Sequence, residues 1–313
     1  MHEFTVSTSS RLDAFLTAAT SPLSRSQVQR LILDGRVKVN GVVVHKPALR
    51  LHEGDRVAVS SFDFAQDDIE VFEPVDLRLP VLYEDDACLV IDKPAGIAVH
   101  PAPTTKGEPT ILHGIAQMFQ KRGLPFSAGT ALVHRLDRET TGCLLVAKTP
   151  EAHSALQKQF KDRTTVRKTY LALVAGVPDP PSAVIEAPVG RKLTDRTKMS
   201  VLKTSVSRDA KTTYRTRQAF DDCALLECDL HTGRTHQIRV HLSSIGHPIL
   251  GDPTYASQKS EKISQHHDVR NLCLHAWELS FVSPADGEKH EIVAGIPDVL
   301  AAVLQLLGVN RIT

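Results

Sequence analysis

Apolar positions along the chain recur first at helical spacing and then at strand spacing. From Arg11 to about Ala19, Leu12, Phe15 and Leu16 fall on one helical face. A second helix is predicted to begin near Ser24, because Ser24 and Gln27 have the S-x-x-Q spacing of a capping box. Val28, Leu31 and Ile32 form its apolar stripe, and Gly35 supplies the left-handed residue that ends it. Valine-rich runs then flank Asn40-Gly41, a hairpin signal because both turn positions need positive φ. A strand from Arg56 to Val59 completes a compact unit over residues 1–60.

Residues 61–75 (SFDFAQDDIEVFEPV) are acidic, lack periodicity and read as a linker. Beyond them, Val81 to Pro94 holds two apolar runs around an acidic turn, which predicts a hairpin. Further strands are expected at 131–134, 143–147, 169–174, 212–218 and 224–230. Helices are expected at 110–121, 150–161 and 236–245. The second has Thr149 as N-cap and Pro150 at its first position, and the third follows Thr235 and stops at Gly246. Short strands outnumber helices without βαβ alternation. Residues 76–313 are therefore expected to be an α+β domain with a mixed, mostly antiparallel sheet.

Composition narrows the class. The five cysteines (Cys88, Cys143, Cys223, Cys228, Cys273) form no C-x-x-C pair. That argues against disulfides and structural zinc and fits a reducing cytoplasm. The N-terminus lacks the basic start and apolar run of a signal peptide, and no apolar stretch is long enough to span a membrane. Net charge is only +1, but its distribution is uneven. Residues 61–92 hold 1 Lys/Arg against 10 Asp/Glu, which hides a basic excess on either side. Within 161–217 there are 13 basic residues against 5 acidic ones, a region that would attract a polyanion.

Three segments carry candidate chemistry. The first is Val133-His134-Arg135-Leu136-Asp137-Arg138-Glu139-Thr140-Thr141-Gly142, read as a carboxylate between two arginines in a core strand. Such a carboxylate suits nucleophilic attack or proton abstraction, and a structural ion pair fits the same residues. The second is His231-Thr232-Gly233-Arg234-Thr235-His236-Gln237-Ile238-Arg239-Val240-His241, a polar cluster delivered to a helix N-terminus. His231, His236 and His241 are five apart, on neither one helix face nor one strand face, so hydrogen-bonded histidines are preferred to a metal site. The third is Arg167-Lys168-Thr169-Tyr170, basic residues leading into an alternating strand.

Together these segments resemble the RluA-type pseudouridine synthases that carry an N-terminal alpha-L RNA-binding domain. The matching strings are YEDDACLVIDKPAGIAVHPAP, HRLDRETTGCLLVAK, RKTYLALV and HTGRTHQIRVHLSSIGHPILGDPTY. Residues 1–60 resemble the appended domain, with Arg25, Arg30, Arg36 and Lys38 on its RNA face.

The resemblance implies that Asp137 is the catalytic aspartate, that Arg239 pairs with it, and that Tyr170 stacks on the target uracil and is placed to help remove the C5 proton. Arg135 would fill the space left by the flipped nucleotide, and Arg167, Lys168 and Arg234 would contact RNA. It also implies an isomerisation needing neither cofactor nor metal, with large-subunit ribosomal RNA as the expected partner and transfer RNA or small-subunit RNA left open. A monomer acting in the cytoplasm is expected. Two routes stay open for Asp137, as nucleophile on the ribose or as base toward a glycal.

Two other readings compete. A glycoside hydrolase would use Asp137 and Glu139, but its carboxylates must stand across a scissile bond at roughly 5–9.5 Å. A non-catalytic ribosome-assembly factor would not need the Asp137, Tyr170 and Arg239 set.

Overall fold

The computed structural model describes residues 2–20, 25–59, 73–102, 105, 107–162, 164–195, 197–202 and 204–309. The chain forms two compact units, Met1–Val71 and Phe72–Thr313. Most of the expected linker 61–75 lies outside the described residues.

The first unit runs β1 (His2–Thr5), β2 (Ser10–Arg11), α1 (Leu12–Ala19), α2 (Arg25–Leu33), β3 (Val37–Val39), β4 (Val42–Val43), β5 (Arg50–Leu51) and β6 (Arg56–Val59). Its main sheet has the order β1-β6-β3-β4. Leu12, Leu16, Val28, Leu31 and Ile32, the residues on the two helical stripes, are buried together against Val37, Val57 and Val59. The β3–β4 turn has φ 51° at Asn40 and 82° at Gly41, as its sequence requires. Asn40 also accepts the Arg56 N–H through Oδ1 and donates to Asp55 through Nδ2. The Ser24–Gln27 capping box falls on Ser24, outside the described residues.

The second unit runs β7 (Val81–Glu84), β8 (Cys88–Lys93), α3 (Ile111–Arg122), α4 (Ala128–Ala131), β9 (Thr141–Ala147), α5 (Pro150–Asp162), β10 (Arg167–Ala175), β11 (Ser182–Glu186), β12 (Val189–Lys192), β13 (Met199–Ser200), β14 (Thr204–Arg208), β15 (Lys211–Ala219), β16 (Cys223–Leu230), α6 (Gln237–Ser244), α7 (Gln258–His266), β17 (Leu274–Val282), β18 (Lys289–Val293) and α8 (Asp298–Leu306). Nine strands form one sheet, ordered β11-β15-β16-β10-β17-β9-β8-β7, with β18 added to β17. Every pairing in it is antiparallel except β17 with β9. The mixed, mostly antiparallel α+β architecture is the one expected. No described helix is long and apolar enough to cross a membrane.

The central strands read as continuous apolar runs because both faces are covered. On β8, Leu89 and Ile91 face the core that contains α3, while Cys88 and Val90 face the core that contains α5. On β9, Leu144 and Val146 share the first core, and Cys143, Leu145 and Ala147 the second.

One expected strand is absent. Residues 131–134 form the end of α4 and a single bridge from Leu132 to Val146. Leu132 and Val133 are nonetheless buried, so the apolar run looks the same whether it is a strand or a buried loop. Asp137 accordingly lies in a loop, not in a core strand.

Candidate active site

The loop before β9 is held from below by a buried lysine. Lys93, 0% exposed, ends β8 and donates from Nζ to the carbonyls of Pro94, Arg138 and Thr140 at 2.7, 2.9 and 2.9 Å. Burial pulls its ammonium down to about 8, against the upward pull of Glu139 and Asp137. The loop is tied a second time at Gly96, whose N–H donates to the Arg138 carbonyl at 3.0 Å. Arg138 returns a 2.8 Å bond from Nε to the Gly96 carbonyl and pairs with Glu108 at 3.0 Å. At the loop's end Gly142 has φ 105°, and a Cβ there would sit 2.2 Å from the Ala276 carbonyl oxygen. Only glycine permits that close approach to β17.

Asp137 is therefore displayed by a fixed loop, but not between its sequence neighbours. Arg138 is spent on Gly96 and Glu108. Arg135 is exposed in the cleft, with no hydrogen-bond or ion-pair partner among the described residues. The partner of Asp137 is Arg239 from α6, whose Nη1 donates to Asp137 Oδ2 at 3.3 Å. The same guanidinium makes a two-pronged pair with Asp252, Nε to Oδ2 and Nη2 to Oδ1, each 2.8 Å. Arg239 and Asp252 are both buried. Burial alone would raise the Asp252 carboxyl. The bonds and charge of Arg239, with N–H donors from Thr254 and Tyr255, outweigh burial and hold it below the usual range.

Asp137 opens into a cleft that is also lined by Arg135, Tyr170, Arg234, His236 and Arg239. Tyr170 projects from β10 and is 6% exposed. Its hydroxyl has no hydrogen-bond partner among the described residues, unlike that of an ordinary core tyrosine. Burial, then the charge of Asp137, pushes its phenol far up, so the ring is neutral. The structure thus brings Asp137, Arg239, Tyr170, Arg135 and Arg234 to one cavity. His236 lines it too, and behind the wall Asp252 holds Arg239 and Tyr255 bonds His236, none of the three having been assigned a role from sequence. Asp252 and Tyr255 stand in the GDPTY string, whose only visible signal was its place after the HQIR helix.

The remaining candidates divide. Lys168 lies over the Phe160 ring at 5.5 Å, and a Cβ on cleft-lining Gly233 would come 3.8 Å from its Nζ. Arg167 alternates to the opposite face of β10 from Tyr170 and pairs with Asp229 at 3.1 Å and Glu227 at 3.8 Å. In the first unit Arg36 is half-buried and Lys38 is exposed on β3, while the side chains of Arg25 and Arg30 lie outside the described residues. Arg234 donates from Nε to the Asp209 carbonyl.

The three spaced histidines diverge. His231 bonds Thr213, His241 bonds Thr212 and the Ala187 carbonyl, and only His236 enters the cleft. Glu139 stays beside Arg138 at 3.8 Å and does not line the cavity. Among the described residues one group, Asp222, Cys223 and His267, brings three potential ligand atoms within 4.8 Å of one another. His267 Nε2 and Asp222 Oδ1 are already 2.9 Å apart, and burial pushes the Cys223 thiol up to about 12. Those atoms are accounted for as a hydrogen-bonded cluster.

The chain that carries this loop carboxylate, buried arginine and tyrosine is similar to known proteins. The family described as RNA pseudouridylate synthase matches residues 87–244, and the S4 domain matches residues 10–57. The chain is 38% identical over 303 residues to "Uncharacterized RNA pseudouridine synthase YlyB" of Bacillus subtilis, covering 96% of this chain and 95% of that protein. It is 38% identical over 299 residues to "Ribosomal large subunit pseudouridine synthase D" of Nitrosomonas europaea, covering 95% and 84%. The solved structure "Human RNA Pseudouridylate Synthase Domain Containing 4" superposes with TM-score 0.59 at 27% identity, covering 73% of this chain and 93% of that one. The chain belongs to the RNA pseudouridylate synthase family. It is an RNA pseudouridine synthase, an isomerase, with an N-terminal S4 RNA-binding domain.

Proposed function

We propose that Asp137 is the catalytic carboxylate of this isomerase and that its substrate is large-subunit ribosomal RNA. The observation that carries the first part is the Asp252–Arg239–Asp137 array at the wall of the cleft. A carboxylate whose partner is already anchored elsewhere keeps its orientation while a substrate displaces water around it. The second part is supported by the relatives named ribosomal large subunit pseudouridine synthase D, from several bacteria.

In this reading the target nucleotide leaves its stack, at a cost of a few kcal/mol, and its uracil lies against the Tyr170 ring. Arg135, exposed and uncommitted, occupies the vacated space. Asp137 then promotes cleavage of the N1–C1′ bond, either by attack on C1′ or by removal of a ribose proton. The freed uracil turns and C5 bonds to C1′ as the Asp137–C1′ bond breaks on the first route or the ribose regains its proton on the second; the C5 proton then departs and N1 gains a proton. Atoms and electrons balance without any added group.

The test is ribosomal RNA carrying tritium at uridine C5, incubated with the wild type and with Asp137→Asn. Release to water by the wild type alone is expected. Release by both proteins refutes Asp137 as the reacting group. Release from transfer RNA but not from ribosomal RNA refutes the substrate.

A further inference from the structure

His236 has a backbone conformation that is uncommon for a residue other than glycine. It is the N-cap of α6 with φ 56° and ψ 20°, in the left-handed region. A non-glycine residue there costs about 1–2 kcal/mol. Such strain persists where the surroundings demand a particular side-chain placement. The placement is specific. His236 Nε2 stands 3.9 Å from Asp137 Oδ2, and Nδ1 stands 2.8 Å from the Tyr255 hydroxyl.

The hydrogen bonds around Tyr255 choose the tautomer. Its phenol oxygen already accepts the Met199 N–H at 3.0 Å. Burial pushes the phenol up to about 12, so it keeps its own proton. That proton needs an acceptor, and His236 Nδ1 is in place to take the bond. With Nδ1 accepting, a neutral His236 carries its proton on Nε2, the atom that faces Asp137.

Tyr255 is itself fixed by the machinery already described. Its N–H donates to Asp252 Oδ1 at 3.1 Å, and the Arg239 guanidinium lies 5.1 Å from its ring centre. Arg239 Nη1 and His236 Nε2 both approach Oδ2 of Asp137. Oδ1 has no partner among the described residues.

We infer that His236 is a tautomer-locked positioning residue, whose Nε2–H joins Arg239 on Oδ2 of Asp137 so that Oδ1 is the oxygen presented to the ribose. The inference rests on Asp137 being the reacting carboxylate. Substrate binding closes the 3.9 Å separation to a hydrogen bond.

Two replacements separate this role from a backbone one. Glutamine places an amide N–H near the position of Nε2, and asparagine near that of Nδ1. Asparagine, however, tolerates the left-handed region better than glutamine. If His236 matters only for its backbone, His236→Asn is the milder change. If it matters for the donor, His236→Gln is milder, and His236→Asn and His236→Ala lose about 10- to 100-fold in kcat, the range for one hydrogen bond to a charged group.

The assay is C5-tritium release, with RNA affinity measured separately and Asp137→Asn alongside. Expected are retained affinity, the order Gln above Asn and Ala, and, in wild type labelled with ¹⁵N-histidine, an Nε2–H tautomer at the signal that His236→Gln removes. The opposite order, equal activity of all three variants, or an Nδ1–H tautomer overturns the inference while leaving Asp137 standing. An active Asp137→Asn overturns both.

Discussion

Arg239 grips Asp252 with two bonds of 2.8 Å and reaches Asp137 with one of 3.3 Å. The unequal lengths assign the parts. Asp252 anchors the guanidinium, and Asp137 receives what remains of it. The arginine is 4% exposed, so it cannot exchange its partner for water without a large cost.

Removing the anchor should therefore harm both folding and turnover. Asp252→Asn leaves the buried guanidinium short of charge, and breaking such a pair costs about 3–5 kcal/mol. Chemical denaturation should show that loss, and kcat should fall with it. The wild type should also carry an acid-sensitive term that the variant lacks. The Asp252 carboxyl is held below its unfolded value of about 3.9. Its stabilisation is complete above that pH and is lost as pH falls through the lower folded value. Denaturation midpoints of the two proteins should converge as pH drops below about 4.

Lys93 offers the reverse slope. Its folded value, about 8, is below the ordinary 10.5, so the charged form is disfavoured in the folded chain. Between pH 8 and 10.5 the unfolded chain binds more protons, and stability rises with pH through that window. The shift corresponds to about 3 kcal/mol. Lys93→Met removes this rise and strands the carbonyls of Pro94, Arg138 and Thr140. The expected result is a less stable protein whose stability, followed by urea denaturation from pH 7 to 10.5, lacks the wild-type gain. Tritium release should fall too, because the Asp137 loop loses its tether.

Tyr170 can be divided into ring and hydroxyl. Tyr170→Phe keeps the stacking surface and should bind RNA as the wild type does. Tyr170→Ala should weaken binding by an amount equivalent to about 1–3 kcal/mol, the usual worth of one base–aromatic stack. Equal affinities for the wild type and the alanine variant, measured by filter binding at one salt concentration, would remove the stacking role. Since the phenol stays neutral well above pH 10, no rise in rate near pH 10 should trace to this residue.

Much of this protein could be read from local pattern. The two helices and the Asn40-Gly41 hairpin of the first unit follow from short-range chemistry: a 3.6-residue apolar period and a turn that only certain residues accept. The buried runs of β8 and β9, the Thr149–Pro150 helix start and the Gly246 stop are of the same kind. Asp137, Tyr170 and Arg239 could be picked out because each stands in a distinctive string.

Partnership was decided elsewhere. The sequence places Arg135 and Arg138 beside Asp137, yet the tertiary structure turns Arg138 to Gly96 and Glu108 and leaves Arg135 in the cleft. Asp137 is served by a residue 102 positions away. Arg167 looked like its neighbour Lys168, but strand alternation sent it to the other face, among acids. Asp252, Tyr255 and the left-handed His236 acquire meaning only when α6, the segment after it and the loop between α4 and β9 meet. Local propensity acts over a few residues along the chain. The direction in which a buried charge finds its counter-charge is settled by packing between distant segments, where an unpaired group is too costly to leave.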